Sequence, residues 1–371
     1  MVRMNPWILN YEGKNYGDGA EFACRLDCSL GVNTEPLPQA IATGLGALCV
    51  DTLKQYPHGD DFVDALVRKY RPLAPLTAEH IALGCGSADL MFAINKLFLS
   101  PGAVALGVAP QFACYVDDVH FSGGHYRPFL LTPQKNYLLE AEELVAYIEN
   151  YPVPVQVIYV DNPNNPTGQV LTSAEVERLI QAAEKIGAAI ILDEAYGDFM
   201  PMEGSAVQFI GKYDNLFVLK SMSKGYGMAG MRLGFVFSNP FAIGQIKKLI
   251  PQYNANALAR ELGRVMLEET PEYLADIGAK TASKTERIYN CVAGGPIHVA
   301  ETASASPITL LYTERVSVDL CQVFQQVGLA VVSGASFEGL GVNTVRLMVP
   351  QEADMPLLLE LLTQAQNILE P

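Results

Sequence analysis

Leu216-Phe217-Val218-Leu219-Lys220-Ser221-Met222-Ser223-Lys224-Gly225-Tyr226-Gly227-Met228-Ala229-Gly230-Met231-Arg232-Leu233-Gly234-Phe235-Val236-Phe237 is the stretch on which the reading of this chain turns. Two apolar runs, Leu216–Leu219 and Leu233–Phe237, flank a glycine-rich segment, so two buried strands enclose a tight loop. Gly225 to Gly230 spells GxGxxG. The dinucleotide turn of that pattern needs an acidic residue about 20 positions later for the ribose. From Asn215 to Arg260 there is no Asp or Glu, so this reading fails. The same window carries Lys220, Lys224, Arg232, Lys247, Lys248 and Arg260 in a chain of net charge −15. A solvated basic face accounts for Lys247 and Lys248. Ser221, Ser223, the glycine-rich backbone and Arg232 instead supply the donors of a phosphate cradle. Lys224, beside that cradle, is positioned to lose its proton and form a Schiff base.

Outward from this loop, the apolar runs Ile81–Leu83, Ala103–Val108, Val155–Val160 and Ala188–Leu192 alternate with the amphipathic stretches Asp89–Leu99, Ala141–Asn150 and Ala174–Ile186. Such alternation predicts an α/β fold whose mostly parallel sheet is covered on both faces. Ser173, followed by Glu175 and Glu177, is the expected start of the third helix. After Pro251 the pattern changes. Helical stretches Ala257–Glu268 and Pro271–Tyr289 lead into a strand-helix-strand-strand-helix tail from Ser306, a second, smaller α/β unit. The first residues, with Gly17, Gly19 and Gly31, read as an arm that joins it. The expected division is an arm (1–35), a large domain (36–255) and a small C-terminal domain (256–371).

At 371 residues the chain is long enough for two or three domains of about 150 residues. Half of it is hydrophobic and 18% is charged, which excludes wholesale disorder. The acidic balance argues against nucleic acid or an anionic membrane as the main partner. No apolar run reaches the roughly 18 residues of a membrane span, and Met1–Tyr11 lacks the apolar length of a secretory leader. Seven scattered cysteines, with no second pair to accompany Cys24 and Cys28, read as reduced thiols of a cytoplasmic protein. The five histidines form no cluster, so no metal site is expected.

Three motifs in order carry a resemblance. The segment Ser221–Gly234 resembles the lysine signature of class I/II pyridoxal-phosphate aminotransferases, a fold type I family. Ahead of it stand Asn162-Pro163-Asn164-Asn165-Pro166-Thr167-Gly168 and Asp193-Glu194-Ala195-Tyr196, each after a buried strand, in that family's order. The resemblance runs from Tyr56-Pro57 to Arg346. It implies a large cofactor-binding domain with a mostly parallel seven-stranded sheet between helices, a smaller C-terminal α/β domain, and a homodimer. It also implies transfer of the amino group of an α-amino acid to a 2-oxo acid through a Lys224 Schiff base with pyridoxal phosphate.

The resemblance assigns roles residue by residue. Asp193 keeps the cofactor's ring nitrogen protonated, which the electron sink requires; by itself it reads equally as a turn or cap residue. Tyr196 and Asn165 hydrogen-bond the phenolic oxygen. In Gly84-Cys85-Gly86-Ser87-Ala88-Asp89, the amides of Ser87 and Ala88 hold the phosphate with Ser221, Ser223 and Arg232; a turn capped by Ser87 is the alternative. Phe112 stacks on the ring, and Tyr56 reaches the phosphate of the neighbouring subunit. Arg346, in an apolar strand, clamps the substrate carboxylate or else makes a structural salt bridge. Gly31 lies over the substrate.

Two stretches are similar to the histidinol-phosphate aminotransferase and threonine-phosphate decarboxylase branch: Asp27–Asn33 with Tyr56-Pro57, and Tyr253–Ala259. Members of that branch carry a second Arg ahead of the strand Arg, for the substrate phosphate. The matching stretch here, Leu329-Ala330-Val331-Val332-Ser333-Gly334, has none, and Asn33-Thr34 replaces the branch's Asn-Pro. An unphosphorylated α-amino acid is therefore the expected substrate. Decarboxylation, elimination or cyclisation on the same cofactor, a histidinol-phosphate aminotransferase, and a non-enzymatic binding protein of the same fold remain as other readings.

Overall fold

The computed structural model describes residues 4–9, 11–13 and 22–370; Gly17 and Gly19 of the expected arm lie outside them. Leu26–Asp27 forms a short first strand, β1. The large sheet takes its strands from β2 (Ile81–Gly84), β3 (Val104–Ala109), β4 (His125–Leu130), β5 (Val157–Asp161), β6 (Ala189–Asp193), β7 (Leu216–Ser221) and β8 (Gly234–Phe237). Their spatial order is β2-β8-β7-β6-β5-β3-β4. Only β8 runs against its neighbours, β2 and β7.

Alternation decides which side of the sheet each strand residue serves. Leu106, Val108, Ile158, Val160, Ile190, Leu192 and Val218 join one core cluster. Ala105, Val157, Tyr159, Ala189, Ile191, Phe217 and Leu219 join another on the opposite face. Both faces are covered, so β5 and β6 are buried at every position, each aliphatic side chain contributing about 1.5–3 kcal/mol.

All six apolar runs read from the sequence are strands. The seventh, β4, escaped that reading: its sequence, His125-Tyr126-Arg127-Pro128-Phe129-Leu130, is mostly exposed or half-buried. It is an edge strand, where a residue lacking an N–H is tolerated. The helix Ser173–Lys185 begins at Ser173, as expected. Thr172 is its cap, accepting from the Glu175 amide while the Glu175 carboxylate accepts from Thr172 N at 2.7 Å.

The tail builds a four-stranded sheet. Its members are β9 (His298–Val299), β10 (Ile308–Tyr312), β12 (Val332–Ser333) and β13 (Thr344–Met348), while β11 (Leu329–Ala330) pairs parallel with β1. The run Leu329–Ser333 thus splits between two sheets. Leu26 and Cys28 pack into the core beneath this smaller sheet, with Phe324, Leu347 and Leu358. The helix Ala257–Glu269 buries Ala259, Leu262, Val265 and Met266 in the larger core. Among the described residues no helix is long and apolar enough to cross a membrane.

Candidate active site

Parallel strands deliver the residues at their carboxyl ends to one edge of a sheet, the usual place for a site in such folds. A cavity of about 630 Å³ opens at that edge. Gly31, Ser87, Ala88, Phe112, Asn165, Asp193, Tyr196, Ser221, Ser223, Lys224, Arg232 and Arg346, scattered through the sequence, all line it. Tyr56 does not join them. It is 69% exposed and stacks on Tyr253, ring centroids 4.6 Å apart, on another face of the chain.

Asp193 closes β6 and is buried. One carboxylate oxygen accepts from Tyr159 Oη at 2.7 Å and the other from the Ala195 amide at 2.9 Å. Burial holds its carboxyl above the ordinary range, against the opposing pull of those two donors and of Lys224. Both the turn role and a pocket-facing carboxylate are therefore present in one side chain. Lys224 Nζ stands 5.1 Å from the centre of the Tyr196 ring. Tyr196 Oη donates to the Gly31 carbonyl at 3.1 Å. A Cβ on Gly31 would collide with that hydroxyl and stand 3.5 Å from both Lys224 Nζ and Arg346 Nη1, so the backbone there approaches as closely as only glycine permits. Arg346, 1% exposed in the middle of β13, donates to Asn165 Oδ1 at 3.3 Å and to the Ser29 carbonyl at 2.5 Å.

The opposite end of the cavity gathers donors. The helix Ser87–Phe98 starts at Gly86, whose φ is +83°, without a side-chain cap from Ser87. A Cβ on Gly86 would lie 2.5 Å from Arg232 Nη2, and one on Gly234 would collide with the Gly86 backbone. Glycine at both positions lets strand, helix start and guanidinium converge. Ser221 Oγ accepts from the Ser223 amide at 3.1 Å and donates to Ser223 Oγ at 2.9 Å. A helix N-terminus, a guanidinium and two hydroxyls form a site for a phosphate monoester. With Lys224 for an aldehyde and Asp193 for a pyridine nitrogen, the residues fit pyridoxal phosphate.

Other basic residues of the window have other partners. Lys220 is buried against Glu194 at 2.8 Å, and Glu194 also accepts from Ser205 Oγ and the Ala206 amide, each at 2.6 Å. Glu194 therefore braces the loop rather than facing the pocket.

Sequence reasoning missed several lining residues: Ser29, Leu30, Val32, Tyr159, Asp161, Pro163, Ala195 and Ala229. For Asp161 a signal existed. It ends the apolar strand β5 as Asp193 ends β6, and the two are register partners. Burial, reinforced by the charge of Asp193, pushes the Asp161 carboxyl up to about 7 despite its amide donors.

Comparison with known proteins agrees with this geometry. A histidinol-phosphate aminotransferase of Clostridium kluyveri is 32% identical over 222 residues, a match spanning 59% of this chain and 59% of that relative's length. The structure of a histidinol-phosphate aminotransferase from Sinorhizobium meliloti, in complex with pyridoxal-5'-phosphate, superposes with a TM-score of 0.82 at 19% identity, covering 100% of this chain and 99% of the other. A structure from Escherichia coli described as having a methionine aminotransferase function gives 0.80 at 19% identity, over 91% and 93% of the two chains. At such identities these likenesses speak to the fold. The model of the family "Aminotransferase class I and II" matches residues 27–362, from the first strand to the last helix, and takes in every motif that builds the cavity. By that match, the chain belongs to the class I and II aminotransferase family.

Proposed function

We propose that the protein is a pyridoxal-phosphate-dependent aminotransferase that moves the amino group of an α-amino acid to a 2-oxo acid. The observation that carries this reading is the single cavity in which the Lys224 amine, the Asp193 carboxylate and the Arg346 guanidinium meet beside an anion cradle. When bound, the cofactor supplies the electron sink. Asp193 would be the buried acceptor for its ring nitrogen. Arg232, Ser221, Ser223 and the amides of Ser87 and Ala88 would take its phosphate, Phe112 would lie against its ring, and Tyr196 and Asn165 would hydrogen-bond its phenolic oxygen. Lys224 would be the amine that holds its aldehyde and, once released, the general base and acid. Arg346 holds the substrate carboxylate under the roof formed by Gly31.

Purified protein should be yellow, and borohydride should fix the cofactor to Lys224; Lys224→Ala should abolish that fixation. Single turnover with an α-amino acid should convert the cofactor to its amine form and release a keto acid. Return of the aldehyde form instead would indicate decarboxylation or elimination and overturn the reading.

The substrate we infer is an unphosphorylated α-amino acid. Leu329–Gly334 offers no guanidinium, and Arg25, a basic group of the arm, is engaged with Glu360 at 3.0 Å on the surface. An extra Arg on a phosphate is worth about 1.5–3 kcal/mol, roughly tenfold to a hundredfold in binding. Unphosphorylated amino acids should accordingly show the higher kcat/KM. Histidinol phosphate emerging as the best substrate of a panel would refute this.

We also read the active unit as a homodimer in which Tyr56 completes the neighbouring site, since its ring is exposed and does not line its own cavity. Seven free cysteines fit a cytoplasmic setting. The arm, large domain and small domain divide near residues 35 and 255, with the helix Ala257–Glu269 packed on the larger core.

A further inference from the structure

Asp161 lies at the end of β5, in the strand position next to Asp193, and lines the same cavity. Its carboxylate gathers three donors. One oxygen accepts from the Asn165 amide at 3.0 Å and the Phe112 amide at 3.2 Å; the other accepts from Asn164 Nδ2 at 2.8 Å. Phe112 belongs to the loop after β3, and Asn164 and Asn165 to the loop after β5. One side chain therefore ties together two loops that come from different strands. Asn164 extends the tie: its Nδ2 also donates to the Pro110 carbonyl at 3.1 Å, and its Oδ1 accepts from Thr167 Oγ1 at 2.6 Å.

We propose that Asp161 is a positioning residue for the cofactor, a carboxylate strap that sets Phe112 and Asn165 at a fixed separation across the cavity. This rests on the function proposed above. An asparagine here accepts the two backbone amides through its single oxygen, but it turns an NH₂ toward the NH₂ of Asn164. Asn164 cannot answer by flipping, because its oxygen is committed to the Thr167 amide and hydroxyl. Alanine removes all three contacts. The two substitutions thus grade the strap, and a role through hydrogen-bonded position separates from a role through charge, which both variants delete.

The experiment titrates the full-length apoprotein with pyridoxal phosphate and reads the dissociation constant from visible absorbance. Asp161→Ala should weaken binding at least about tenfold, whereas Asp161→Asn should stay within about threefold of wild type. In a Phe112→Ala, Asn165→Ala background, Asp161→Ala should cost less than about twofold more, because a strap matters only while it holds something. Equal loss in the Asn and Ala variants, or a full tenfold effect in the double-alanine background, overturns the proposal. Binding unaltered by either substitution overturns it too. Should Asp161→Ala not fold, Asp161→Ser, whose short hydroxyl cannot reach the two amides, takes its place against Asp161→Asn under the same thresholds. A wild-type apoprotein that takes up no cofactor sinks the proposed function itself, and this inference with it.

Discussion

Arg346 shows how much can depend on one side chain placed in an apolar strand. Its guanidinium sits at 1% exposure, where an unsatisfied charge is costly, and it reaches both the arm and Asn165. Arg346→Ala should lower kcat/KM for carboxylate substrates by more than about tenfold, while the absorbance of the bound cofactor stays normal. Asp198 makes a second prediction. Burial raises its carboxyl from 3.8 to about 6, although Lys220, Lys69 and the Gly225 amide pull the other way. An acid raised on folding binds more protons folded than unfolded between those two values. The Asp198 contribution to stability should therefore fall as pH rises from about 4 to 6 and then level off. Asp198→Asn should remove this component, so its urea midpoint should gain on wild type between pH 4 and 7; parallel curves would contradict it. Lys224, Asp193 and Arg232 were legible because motif and chemistry coincide at each. Asp161 was not, since an acid ending an apolar strand carries no motif of its own and its meaning comes from β3, a neighbour far away in sequence.

At the scale of elements, what reads well is what is buried on two faces. Six strands of the large sheet announce themselves as apolar runs because helices cover both sides. The edge strand β4, half wetted and interrupted by Pro128, leaves no such run, and the split of Leu329–Ser333 between β11 and β12 depends on partners elsewhere in the chain. Under the proposed function, the start of the helix Ser87–Phe98 is one of the elements that take the cofactor's phosphate. Gly86→Ala would force a side chain into φ +83° and against Arg232 Nη2 at 2.5 Å. The backbone strain is worth about 1–2 kcal/mol, a modest loss of stability. Displacement of the guanidinium should weaken pyridoxal phosphate binding by about tenfold or more. Calorimetry on the apoprotein alongside cofactor titration separates the two effects; a melting loss with unchanged cofactor affinity would contradict the cradle.

For the whole molecule, the open question of assembly has a direct test. A subunit with Lys224→Ala keeps its Tyr56, and a subunit with Tyr56→Ala keeps its Lys224. If Tyr56 serves the neighbouring site, each mixed dimer contains one intact site and one doubly damaged one. Unfolding and refolding the two inactive proteins together should then restore about a quarter of wild-type activity. A Tyr56 that served its own subunit would restore none.

The arm has one more consequence, which belongs to synthesis on the ribosome. Residues 25–33 are made before the segments they hold, which arrive in two instalments. Asn33 pairs with the Lys224 carbonyl at 3.3 Å and donates to the Gly225 carbonyl at 2.9 Å, the earlier of the two. Leu26 and Asp27 wait for Leu329 and Ala330, the Ser29 carbonyl for Arg346, and the Cys28 carbonyl for the Met348 amide at 2.9 Å. A nascent chain can thus complete its proposed cofactor cradle before Arg346, the clamp for the substrate carboxylate, exists. Capacity to hold the cofactor should precede capacity to turn over an amino acid, and a chain stalled after β8 has emerged but short of β13 should be loaded but idle.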